Sequence, residues 1–276
     1  MGKWIRRVIM LVLLAVFLYS AGTVAVILYQ YHVTDELYAD IASKYTGQGG
    51  GTSGGPEEAD KGQESSGADN GSDTERETAP ITVDFEGLRA ANADVTGWIY
   101  CEDTPINYPV VHGADNDYYL RHSYDGADSA SGSIFVEAEN SKNFADANTI
   151  IYGHHMKNGS MFASLDQWAD QEYYEAHSVM WLLTPQQDYK IILLSGYTTA
   201  AGSDSYMIFT DSCEEMDAYL AKCREMSDFQ ADMETDGEAR YVLLSTCAYV
   251  FDNARYVLHG MLVPVDSAGG VPFSEQ

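Results

Sequence analysis

The chain has 276 residues, 45% of them hydrophobic, which is enough for one folded domain with its own core and some appended chain. Its formal net charge of −27 excludes a nucleic-acid partner, whose phosphates would repel it, and otherwise speaks to solubility rather than fold. Four cysteines without CxxC spacing argue against a zinc site, so no metal and no cofactor is expected.

Residues 1–7 carry Lys3, Arg6 and Arg7, and Val8 to Leu28 then runs without a charge. About 20 apolar residues span the hydrocarbon of a bilayer. The run continues past Ser20-Ala21-Gly22, the one small-residue stretch a signal peptidase would use, so it reads as an uncleaved anchor. Positive residues before the span place residues 1–7 in the cytoplasm and the rest of the chain outside the cell, in a single-pass arrangement. Residues 29–80 read as a juxtamembrane segment and then an acidic Gly/Ser-rich tether that begins near Gly47, too poor in apolar residues to fold. It is either a spacer holding a domain off the membrane or a tolerated insertion.

The folded domain is predicted over residues 81–264. Phe85, Leu88 and Ala91 suit one face of a short helix. Strands are predicted at Trp98–Cys101, Ile106–Val111, Gly132–Val136 and Asn148–Tyr152, with helical turns near Asn116–Ser123 and Met161–Trp168. Val179–Leu183 and Asp188–Thr198 suit a hairpin about Thr184-Pro185. Thr210–Asp228 is the clearest helix: Met216, Tyr219, Leu220, Cys223 and Met226 repeat at helical spacing, and Ser212 with Glu215 matches a capping box. Cys213 and Cys223 would then lie about 15 Å apart, too far for a disulfide. They and Cys101 read as core residues. Residues 265–276 read as a disordered tail. The sum is a mainly β protein of roughly eight strands, a mostly antiparallel barrel with peripheral helices behind a transmembrane helix.

The last two strands carry the chemistry. Tyr241–Leu244 leads through Ser245 and Thr246 to Cys247, and a second apolar run opens at Arg255. If these strands pair, a thiol and a guanidinium share one rim. A lone buried cysteine is more often a small hydrophobe. Here, however, another strand-like run, Thr149–Tyr152, ends in Gly153-His154-His155. Cysteine, histidine and arginine at three strand ends are the components of a cysteine acyl-transfer site. Neighbours on an extended backbone point to opposite faces, so only one of His154 and His155 can join it. His259, in mid-strand, reads as packing. Ser245 and Thr246 are either plain strand hydroxyls or substrate contacts.

These residues resemble the sortases, class B most closely. LLSTC at Leu243–Cys247 is similar to the family's TLxTC motif, with Leu243 in place of the first threonine. YGHHM at Tyr152–Met156 resembles its histidine motif, and Arg255 matches the arginine that opens the following strand. GWIYCEDTPINYPVVHGADNDYYLRHSYDG followed by SGSIFVE resembles the class B framework, and the helix at Thr210–Asp228 sits where class B places one. The resemblance spans about residues 81–264. It implies an eight-stranded sortase-type β-barrel and a cysteine transpeptidase at the outer face of a Gram-positive-type membrane. Its expected catalytic residues are Cys247, His154 and Arg255, with Ser245 and Thr246 as substrate-binding residues. Its expected partners are secreted proteins bearing a C-terminal sorting pentapeptide, cut at the threonine carbonyl, and an amine of a peptidoglycan precursor. A pilin lysine as acceptor, or water in a cysteine protease, are the alternative outcomes of the same chemistry.

Overall fold

The computed structural model describes residues 2–49 and 77–267. Helix α1 (Lys3–Tyr45) leads into β1 (Thr46–Gln48), which pairs with β2 (Ile81–Val83), and α2 (Phe85–Ala91) follows. Then come β3 (Val95–Tyr100), β4 (Asn107–Val111), β5 (Ile134–Val136), β6 (Asn148–Tyr152), α3 (Gln171–Ala176), β7 (Val179–Leu183), β8 (Asp188–Ala200), α4 (Glu214–Glu225), β9 (Arg240–Cys247) and β10 (Ala254–Val265). Eight of these strands close a barrel in the order β10-β8-β7-β3-β4-β5-β6-β9. The expected barrel is therefore present. Two of its pairings, β4 with β5 and β6 with β9, are parallel.

Strand alternation explains where the two halves of the core lie. On β9, Val242 and Leu244 enter the larger core, which also holds Trp98, Trp168 and Tyr256. Tyr241 and Leu243 point the other way, into a second cluster with Met216, Tyr219, Leu220 and Cys223 of α4. These four α4 residues recur at helical spacing, so the helix lays its apolar stripe across that face of the sheet. The helix is shorter than the sequence suggests. Ser212 and Glu215 do not form a capping box; Cys213 is the N-cap, without a side-chain capping bond, and Glu214, Glu215 and Asp217 fill the first turn, where acids complement the helix dipole. Cys213 is exposed rather than in the core, because its backbone is still extended at φ −157° and its side chain misses the buried stripe. Cys101 and Cys223 are buried, as expected.

The N-terminal helix differs more from the sequence reading. α1 is 43 residues long and continues past the apolar run to Tyr45. Thr34, Tyr38, Ile41 and Tyr45 form a short buried stripe that docks on the barrel. The Tyr38 hydroxyl donates to the Gly132 carbonyl at 2.7 Å, and its ring packs edge-on against Tyr108. The juxtamembrane segment up to Tyr45 is thus a helix packed on the barrel. Most of the expected tether, residues 50–76, lies outside the described residues. At its far end Lys190 pairs with Glu77 at 2.7 Å and Thr78 bridges to Asp266. The last strand runs to Val265, so the expected tail is ordered at its start; residues 268–276 lie outside the described residues.

His259 packs as expected, but as part of a polar network beneath α4. Its Nδ1 is 3.1 Å from the Ser195 hydroxyl, its Nε2 is 2.8 Å from the Tyr219 hydroxyl, and Tyr197 stacks on the ring. Burial pushes its pKa from 6.5 down to about 3, so the folded protein holds a neutral ring there. The unfolded chain binds this proton below pH 6.5, and the folded chain does not until about pH 3. The stability is therefore complete above that window and is lost as pH falls through it, by up to about 1.4 kcal/mol per pH unit. Denaturant unfolding between about pH 6.5 and 5 is expected to show this slope in the parent and a flatter one in His259→Gln. Equal slopes would contradict the assignment.

Candidate active site

One face of the sheet is covered by α4 at one end and left open at the other. Alternation continues the series Tyr241, Leu243 to Ser245 and Cys247, so the cysteine lies on the α4 face but beyond the helix. Arg255 is the direct antiparallel partner of Cys247. Directly paired residues share a face with Cβ atoms about 5 Å apart, so the thiol and the guanidinium rise side by side. On the other flank of β9, the parallel strand β6 sets Tyr152 opposite Ser245. The Gly153 amide then donates to the Ser245 carbonyl at 3.0 Å, which carries His154 to the same strand ends. A Cβ at Gly153 would fall 2.5 Å from Ile134 and 2.6 Å from Phe162, so only glycine lets the chain pass this close. His154, Cys247 and Arg255 all line one cleft of about 450 Å³.

The charges of the cleft are simple. Among the described residues Arg255 is the only lysine or arginine lining it. Its Nη1 donates to the Ala254 carbonyl at 3.0 Å, which holds the fork over the strand end. Two phenols stand close to it. Burial raises the pKa of Tyr206 against the opposing pull of its Ser245 hydrogen bond and of Arg255. Burial, then the hydrogen bond to Glu137, holds Tyr152 far above the usual phenol range. Both therefore stay protonated, and the guanidinium keeps its charge for whatever enters. The Tyr152 hydroxyl donates to Glu137 at 2.8 Å, and Asn116 donates to the other oxygen of that carboxylate while its own Oδ1 accepts from the Ala138 amide. This braces one wall.

His154 Nε2 is 2.8 Å from the Leu120 carbonyl. A carbonyl only accepts, so the proton sits on Nε2 and the other ring nitrogen, Nδ1, is left as the base. His155 is turned away: its Nε2 meets Asp166 at 3.2 Å, and its ring takes the edge of Tyr249. Ser245 and Thr246 also line the cleft, but both are buried. The Ser245 hydroxyl is 2.7 Å from that of Tyr206, and the Thr246 hydroxyl has no partner among the described residues. Sequence reasoning singled out neither Tyr206 nor the Glu137 brace. Tyr152 and Glu137 fall inside the quoted motifs, whereas nothing about Tyr206 marks it before the fold brings it to Ser245.

A closed barrel whose rim sets a half-exposed thiol beside a guanidinium, with an imidazole just past the end of the next strand, defines a cysteine transpeptidase of the sortase class. No protein-family model matches the chain. Sortase B of Listeria monocytogenes is 31% identical over 265 residues, covering 95% of this chain and 98% of its own length. Among solved structures, sortase B of Bacillus anthracis in complex with AAEK1 aligns with a TM-score of 0.68 at 30% identity, over 86% of this chain and 99% of that one. The Staphylococcus aureus sortase B–substrate complex aligns with a TM-score of 0.62 at 28% identity, over 66% of this chain and 85% of that one. The chain belongs to the sortase B family.

Proposed function

We propose that Cys247, His154 and Arg255 are the catalytic residues, and that they transfer a secreted protein from its C-terminal sorting pentapeptide to an amine of a peptidoglycan precursor. The direct pairing of Cys247 with Arg255 carries this reading. The Cys247 thiol gives its proton to Nδ1 of His154, the resulting thiolate attacks the threonine carbonyl carbon, and the carbonyl oxygen gains negative charge beside Arg255. The C–N bond then breaks, and His154 gives a proton to the departing amine. A thioester remains. The incoming amine attacks it, His154 takes the amine's proton, and the sulfur leaves as thiolate. The bond energy kept in the thioester is what lets an amine, rather than water alone, resolve it. Ser245 and Thr246 form the floor under the peptide beside the nucleophile.

In this reading residues 1–7 are cytoplasmic, residues 8–28 cross the membrane, and the catalytic domain, residues 81–264, lies outside the cell. The helix Lys3–Tyr45 is long and apolar enough to cross a membrane. The charges of Lys3, Arg6 and Arg7 set its orientation. The test is to mix the full chain in detergent with a library of sorting peptides, with and without a peptidoglycan-type amine, and to weigh the products. The expected product is the peptide cut after threonine and joined to the amine. A product of water alone at saturating amine would make the protein a hydrolase, and transfer only to a lysine of a secreted protein would make it a pilus-forming enzyme.

A further inference from the structure

The strand registers fix which end of the barrel faces the anchor. Cys247 ends β9, Tyr152 ends the parallel β6, and Ile134 opens β5, so all three lie on one rim. Helix α1 runs along the barrel wall toward that rim. At its C-terminal end the Tyr45 carbonyl accepts from Asp84, before β3 begins, at the opposite rim. Ten residues earlier, Asp35 takes two hydrogen bonds from Asn158, at 2.8 and 3.0 Å, in the loop that follows β6. Between them Tyr38 reaches Gly132, just before β5. N-terminal to Thr34 the helix leaves the barrel and is exposed, except for a partly buried Tyr31. The apolar span ending at Leu28 therefore starts about 10 Å beyond the catalytic rim.

The loop between β9 and β10 projects from this rim. It turns through Asn253 at φ 61°, a left-handed position that asparagine tolerates. Its tip is Tyr249, Val250 and Phe251, which are 71%, 76% and 49% exposed. Single exposed apolar residues are ordinary, but three in succession at the tip of a loop are not. Tyr249 is tied to the loop that also binds α1, through its hydroxyl to the His155 carbonyl at 3.3 Å. Leu120, on the wall of the cleft, and Tyr118 beside it add further exposed apolar surface. The tip lies at the rim toward which the apolar part of α1 leaves the barrel.

We propose that the β9–β10 loop is a lipid contact. Tyr249, Val250 and Phe251 enter the interfacial layer of the bilayer that α1 crosses, so the cleft opens onto the membrane surface and meets acceptors that are themselves held in lipid. This rests on the reading of α1 as a membrane span. The probe is a Phe251→Trp variant of the full chain in phosphatidylcholine vesicles, with and without phosphatidylcholine brominated on its acyl chains. The added emission is expected to be blue-shifted and at least about halved by the brominated lipid, as for an interfacial aromatic. If the parent chain floats with the vesicles but the added emission is water-like and unquenched, the contact is wrong and the anchor stands. If the parent chain does not float, both fall. A Val250→Ser/Phe251→Ser variant supplies the second measurement. It is expected to keep cleavage of a soluble sorting peptide in detergent within about twofold, while losing about fivefold or more on a vesicle-bound amine acceptor. Equal losses in both assays would mean that the loop acts at the catalytic centre, which overturns the proposal.

Discussion

Replacing Cys247 with alanine is expected to abolish the covalent intermediate and to lower turnover by about 10⁴-fold or more, since no other group on the rim is a competent nucleophile. The other thiols cannot substitute. Burial pushes Cys101 up to about 11 and raises Cys223, and neither lines the cleft. Cys213 is exposed but caps α4 away from the site. Intact-mass spectrometry during turnover checks the prediction. The parent should carry the acyl fragment as a thioester and Cys247→Ala should carry none, while an alkylating reagent still labels Cys213 in both. An acyl adduct surviving in the alanine variant would remove Cys247 from the mechanism.

Arg255→Lys is expected to cost about 10²- to 10³-fold in kcat/KM although the charge is retained, the size seen for losing one oxyanion donor. The guanidinium is planar and fixed: one Nη is held on the Ala254 carbonyl, and the fork stands across from Cys247. An ammonium on a flexible stem has no such geometry and would sample Tyr206 and Tyr152 as readily as the substrate. If Arg255 acts on the oxyanion, the rate of Cys247 alkylation by a small neutral reagent should change by only a few-fold in the same variant, because alkylation develops no oxyanion. Two outcomes would count against that role. One is a lysine variant with activity within about twofold of the parent, and the other is an alkylation rate that falls as far as acyl transfer does.

Much of this was legible before the fold. The strand runs around Thr149–Tyr152, Tyr241–Cys247 and Arg255–Val263 are β-branched and aromatic, and each ends or begins at a reactive side chain. Pairing the last two was enough to set the thiol beside the guanidinium, and the alternation of neighbours was enough to separate His154 from His155. What stayed hidden depends on partners remote in sequence. The buried stripe Thr34–Tyr38–Ile41–Tyr45 is short and follows directly on a much stronger apolar signal, so it was absorbed into a juxtamembrane segment with no structure assigned. Cys213 has helical spacing from Met216, but the helix starts one residue too late for that spacing to matter. Tyr206 becomes part of the site only because the chain between β8 and α4 folds back to meet Ser245, 39 residues away in sequence. No local pattern encodes that meeting.

The pairing of β1 with β2 gives the stretch between them an unusual freedom. Gln48 lies opposite Ile81, so the polypeptide leaves the barrel and returns to the same spot. The distance from the apolar part of α1 to the thiol is then set by a stiff rod, α1 itself, and not by how many residues intervene from 50 to 76. Closing a longer detour costs only about 0.6 kcal/mol for each doubling of its length. The stretch can therefore be lengthened, shortened or recomposed while α1 and the barrel keep their mutual placement.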